Sequence, residues 1–191
     1  MRETRVPGML NSKYTETMRA QDYLADTILG SRDNFFRYMV GFEEEDRVRA
    51  APGLPNHAAW CMGHCALVMH RIAEKLGAGG LPDADFLVGA ERGDSRRYGT
   101  ESVAFGSSPS VESGVFPTLV RCREIFSNAA EHLAGAIRSL SEDQLNATVQ
   151  FFPKYAAPAW HIVARMAFHN GFHAGQIADL RRALGMKSIF A

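Results

Sequence analysis

Two histidines four residues apart, His169 and His173, are the residues whose type and spacing most directly suggest chemistry. On a helix this spacing puts both imidazoles on one face, one turn apart, close enough to share a metal ion. The chain contains 7 histidines, so such a pair arises readily by chance, and the spacing alone decides nothing. Its setting adds more. Ile162, Met166, His169, His173, Leu180 and Leu184 recur at helical steps and form one stripe. The two imidazoles therefore stand in place of apolar residues in the middle of an inward face. An unmet buried polar group costs about 1–3 kcal/mol, so two side by side need partners. Either they are core histidines bonded to neighbours or water, or a cation sits between them.

A third ligand should come from another helix, and His64 is the best placed. It lies among Trp60, Cys61, Leu67 and Val68 on an apolar arc, and Gly63 before it leaves room for another helix to approach. At ~1.5 Å per residue, His64 is ~12 Å and His173 ~16 Å from the same end of an antiparallel helix pair. These heights agree within the error of helix boundaries. Cys61 and Cys65 adjoin His64, and thiolate ligation is conceivable; small buried core residues are the better reading. His57 falls at a helix start, His70 on the polar side of its helix, His132 on a solvated face, and His161 off the inward stripe. Two familiar metal patterns do not fit. A zincin carries Glu directly after its first histidine as general base, and here that position is Asn170. Di-iron bundles need Glu-x-x-His pairs, and none occurs.

Four helices are expected to position these residues. The first spans about Asn11 to Val40, with Leu24, Ile28, Phe35 and Met39 on one stripe and Gly41 as its stop. The second follows Pro52-Gly53-Leu54-Pro55, with Asn56 as N-cap, and runs to Leu76 before Gly77. The third covers about Val115 to Leu140, where Leu119, Phe126, Leu133 and Leu140 step by seven. The fourth starts after Pro158 and runs to Leu184 before Gly185. No segment alternates over many residues, and Val149 to Phe152 is at most a short extended piece. The pattern predicts an all-α four-helix bundle formed by residues 1–191 as one domain. A link of about fifteen residues suits antiparallel first and second helices. The link 77–114 is long enough to cross back along a ~30 Å helix, so the second and third can be parallel. Its arginines Arg92, Arg96 and Arg97 could meet a carboxylate of a ligand, although a solvated loop is the better reading.

Composition narrows the classes of function. Lys plus Arg and Asp plus Glu both number 21, giving a formal charge of zero. That argues against nucleic-acid binding and against electrostatic membrane attachment. No stretch reaches the ~18 apolar residues of a membrane span, and the first residues lack the apolar core of a signal peptide. The three cysteines, Cys61, Cys65 and Cys122, form no disulfide framework. A reduced, cytoplasmic setting is expected.

Gly63-His64, together with His169-x-x-x-His173-Ala174-Gly175-Gln176-Ile177, resembles the DinB/YfiT-like superfamily of metal-dependent enzymes. The resemblance covers most of the chain, including the long link and the final Leu180 to Gly185 run. It implies an up-down-down-up bundle in which His64, His169 and His173 match the family's three metal-binding histidines. It also implies a homodimer. Members with known activity include thiol-dependent transferases and isomerases, among them bacillithiol- and mycothiol-dependent enzymes.

Three neutral histidines with an open position make a catalytic rather than a structural type of site. Zinc or nickel is the expected ion, and cobalt, iron and manganese suit the same ligands. The open position would take water or a small thiol, and the ion would lower the pKa of either. Together with the resemblance, this implies thiol transfer to, or isomerisation of, a small electrophile, with Gln176 orienting a ligand or bound water. Hydrolysis by bound water and a non-catalytic metal- or ligand-binding bundle are the alternatives.

Overall fold

The computed structural model describes residues 18–189, and four long helices dominate it. They are α1 (Ala20–Tyr38), α2 (Ala58–Lys75), α3 (Leu119–Ser139) and α5 (Ala159–Ala183); a short α4 (Glu142–Asn146) follows α3. Residues 11–17 of the expected first helix lie outside the described residues, and α1 begins at Ala20. Among the described residues the fold is mostly helical, with strands confined to two small pairs. A parallel pair, β1 (Phe86–Leu87) with β2 (Tyr98–Gly99), and an antiparallel hairpin, β3 (Thr148–Phe152) with β4 (Tyr155–Pro158), are also present.

The apolar stripes bury as their spacing requires. Ile28, Phe35 and Met39 of the first stripe are fully enclosed, as are Phe126 and Leu133 of the third. Phe35 and Phe126 meet with ring centroids 4.8 Å apart. The helix stops are where glycine allows them: Gly41, Gly77 and Gly185 have φ of 81°, 90° and 72°, a left-handed conformation that costs other residues more.

Residue pairs across the helices record their relative directions. Between α1 and α3, Arg32 meets Glu131, and Arg123 donates to the carbonyl of Met39. Between α2 and α5, Cys61 lies by Gln176 and Met69 by Asn170, so chain numbers run in opposite senses. Between α1 and α5 they run together, Ser31 with Asn170 and Tyr38 with Arg181.

The link 77–114 has a fold of its own. It buries Phe86, Tyr98 and Val103 against the core, and an Arg121–Asp85 ion pair ties it to α3. The Tyr98 ring lies against Gly63 of α2, where an added Cβ would sit 2.5 Å from Tyr98 Cε1. The bulk removed at Gly63 is therefore filled by a tyrosine of the link and not, as expected, by another helix.

Candidate metal centre

His57 caps α2, its Nδ1 accepting from the Trp60 amide at 3.2 Å. It takes the role expected of Asn56, whose side chain instead reaches α5 and donates to Gln176 Oε1 at 3.0 Å. The next turn of α2 is held from outside. Tyr98 donates its hydroxyl proton to the carbonyl of Ala59 at 2.9 Å while its ring presses on Gly63. His64 follows, pointing toward α5.

The three histidines of the sequence reading converge. One ligand-capable atom from each of His64, His169 and His173 lies within 4.8 Å of the others. Small side-chain rotations would close such a set onto an ion with bonds of about 2.0–2.1 Å. Ring centroids are 5.1 Å apart for His64–His169, 5.2 Å for His64–His173 and 4.6 Å for His169–His173. Trp60 stacks flat on His64, at 4.6 Å and 8°.

Neighbouring groups fix which nitrogens are free. His64 Nδ1 lies 2.8 Å from the carbonyl of Val103, in the link. A carbonyl only accepts, so Nδ1 carries the proton and Nε2 keeps its lone pair. His173 Nδ1 lies 2.8 Å from Gln176 Oε1 and is likewise the donor. His169 Nδ1 is 4.0 Å from the Cys65 sulfur. Such outer partners orient metal-binding imidazoles and set their tautomers.

Electrostatics favour the neutral, ligating form. Burial pushes His169 down to about 3, aided by its neighbours His173 and His64. Burial and His64 lower His173 to about 4 against the Gln176 hydrogen bond. His64 is also lowered by burial, against its bond to Val103. At neutral pH the three rings are thus uncharged, as metal binding requires. Burial pushes the Cys61 and Cys65 thiols up, the second helped by the first. Both are buried core groups and not thiolates, in keeping with their sequence reading.

Two depressions open on the cluster. One, of about 380 Å³, runs from His64 and His169 past Val68, Ile162 and Met166 to the β3–β4 hairpin. The other, of about 360 Å³, holds Asn56, Trp60, Ser107, His173 and Gln176. They share His64, His169, Phe105 and Phe172. Among the described residues no carboxylate lines either one.

Several residues sit differently from expectation. His70 is buried, not on a polar face, because Phe86 of the link and His132 of α3 cover it. His132 is half-buried, with Nε2 3.2 Å from the carbonyl of Gly79. Arg92 and Arg97 pair with Glu112 and Asp94, and neither they nor Arg96 line the depressions. Asn170, in the position of a zincin's base, is fully buried and turns toward Ser31 of α1. The sequence reading missed Val103, Tyr98, Phe105 and the hairpin aromatics. Arg165 was also missed, although its place one turn before His169 is a readable signal.

The chain is similar in fold to a crystal structure of a conserved protein from Enterococcus faecalis, with a TM-score of 0.63 at 14% identity. The match covers 88% of this chain and 99% of that one. No curated protein matches the chain. The model of the DinB superfamily matches residues 28–177, a span that takes in His64, His169, His173 and the link between the helices that carry them. With three convergent imidazoles, this fits a metal-binding protein, and the chain belongs to the DinB superfamily.

Proposed function

We propose that His64, His169 and His173 hold one divalent ion, zinc or nickel, through their Nε2 atoms in an up-down-down-up four-helix bundle. The observation that carries this reading is the commitment of two Nδ1 protons, to Val103 and to Gln176. It leaves the Nε2 lone pair of each ring available, and both rings belong to one three-histidine cluster. The directions of the cross-helix pairs support the bundle connectivity. A divalent ion bound there supplies Lewis acidity, lowering the pKa of a small thiol or water in its open position.

The reaction we assign is transfer of a small-molecule thiol to an electrophile, or its isomerisation through thiol addition. In transfer, sulfur forms a bond to an electrophilic carbon, the carbon–leaving-group bond breaks, and the thiol proton departs with the leaving group. The chain's residues supply orientation and dryness. Gln176 fixes the His173 ring and is itself fixed by Asn56. Trp60 covers His64 on one side, and Phe105 and Phe172 stand where the two depressions meet. The carboxylate-free lining favours a thiol over hydrolysis, which calls for a base to take a proton from water. The test is turnover of an electrophile with candidate thiols, by metal-loaded and metal-stripped protein. Turnover that needs both thiol and metal is expected. Thiol-independent turnover, or none with any thiol in loaded protein, would overturn the assignment.

A further inference from the structure

The larger depression beside His64 and His169 is apolar along most of its length, with Val68, Ile72, Ile162, Met166 and Phe151 among its walls. Two groups break that character. Arg165 stands one helical turn before His169, with its guanidinium carbon 5.0 Å from the centre of the Tyr155 ring. Among the described residues, no carboxylate lies within ion-pair distance of it. The Tyr155 hydroxyl is buried and has no hydrogen-bond partner there. An unmet buried hydroxyl is costly, and a guanidinium is built to grip carboxylates with two parallel bonds.

The outer edge of the chamber is aromatic. Phe105 is 89% and Phe168 76% exposed, and Phe152 and Phe172 are more than half exposed. Apolar groups left in water at the mouth of an apolar chamber gain by covering an apolar body.

From these features we infer the class of substrate, resting on the metal-centre reading above. It is a small organic anion with an apolar or aromatic body. Its single carboxylate pairs with Arg165, whose guanidinium lies over the Tyr155 ring, and its reactive carbon lies at the three histidines in the same depression. Arg165 and His169 are i,i+4 neighbours on one face of α5, so one small molecule can span both. Arg165 is a binding residue that sets specificity and takes no part in bond making. It replaces Arg92, Arg96 and Arg97 as the anion partner.

The experiment compares two near-isosteric probes, 4-phenylbutyrate and 4-phenylbutanamide, by titration calorimetry. Wild-type protein, Arg165→Met and Tyr155→Phe are each measured metal-loaded and after chelation. The acid is expected to bind wild type at least about tenfold tighter than the amide in both metal states, the step associated with a charge-assisted pair. Arg165→Met is expected to erase that preference and leave the amide unchanged; Tyr155→Phe is expected to reduce it. Equal binding of the two probes, an acid preference that survives Arg165→Met, or no binding of either would overturn the inference. Because the preference is also read on chelated protein, it stands or falls apart from metal content and thiol turnover. Arg165 is exposed, so its replacement leaves the core intact.

Discussion

His64 and His70 lie on the same helix, six residues apart, and both are more than nine-tenths buried. Their surroundings differ in kind. His64 gives its Nδ1 proton to Val103 and turns toward two other imidazoles beside open depressions. Among the described residues, His70 has no partner for either ring nitrogen, and it packs between Phe86 and His132. Burial lowers it to about 4, with help from His132. Buried imidazoles alone therefore do not mark a site. A held tautomer, convergent imidazoles and access for a ligand together distinguish the first region from the second.

The largest expected effect is loss of the metal. His169→Ala should drop bound metal from one ion per chain to near zero by elemental analysis, while the helical circular dichroism persists. A core of this size does not depend on an ion as a zinc finger does. The matching variant His70→Leu should keep its metal; loss there would erase the distinction between the regions.

Gln176→Ala comes next. It releases the His173 ring and should weaken metal affinity by about 10- to 100-fold, the usual range for outer partners, as read by competition with a chelator. Unchanged affinity would show that the Gln176 contact does not orient the ring.

Gly63→Ala sets a Cβ against the Tyr98 ring and should destabilise the protein by about 1–3 kcal/mol in denaturant unfolding. Because the clash lies beside His64, metal affinity should fall too. A stable variant with full affinity would mean that the link yields without disturbing α2.

Acid should affect both regions of the metal-free protein in the same sense. His70 and His173 are held down to about 4 and His169 to about 3, all below their ordinary 6.5. The unfolded chain therefore takes up protons that the folded chain refuses, and stability falls as pH drops from about 6.5 toward 3. Unfolding midpoints across that range measure the slope. Bound metal should steepen it, because protons then compete for the same nitrogens. The smallest effect is that of His70→Leu, which removes two unmet nitrogens. It should be neutral or stabilising by about 1 kcal/mol and should flatten the acid slope, whereas marked destabilisation would reveal a hidden partner for His70.

The sequence made the long helices and the His169–His173 pair legible because both follow from spacing along single helices, and His64 became legible by matching its height against theirs across two antiparallel helices. Ile162 to Leu184 form a stripe only at helical steps, and His169 and His173 interrupt it visibly. Gly41, Gly77 and Gly185 marked helix stops because their local backbone needs positive φ. The link 77–114 was not legible, since its order comes from distant packing. Nothing in its local pattern announces that Tyr98 fills the space at Gly63, that Val103 takes the His64 proton, or that Phe86 covers His70. Periodicity describes one helix at a time, so it left His70 on a polar face that the link and α3 in fact enclose. The depressions were hidden for the same reason, being assembled from α2, the link, the hairpin and α5.

Anomalous diffraction at the absorption edge of the bound metal, on crystals of untagged protein, tests the central claim most directly. The account predicts one peak per chain, about 2.0–2.1 Å from Nε2 of each of His64, His169 and His173. A peak between His70 and His132, or none at the three histidines in metal-loaded crystals, would contradict it.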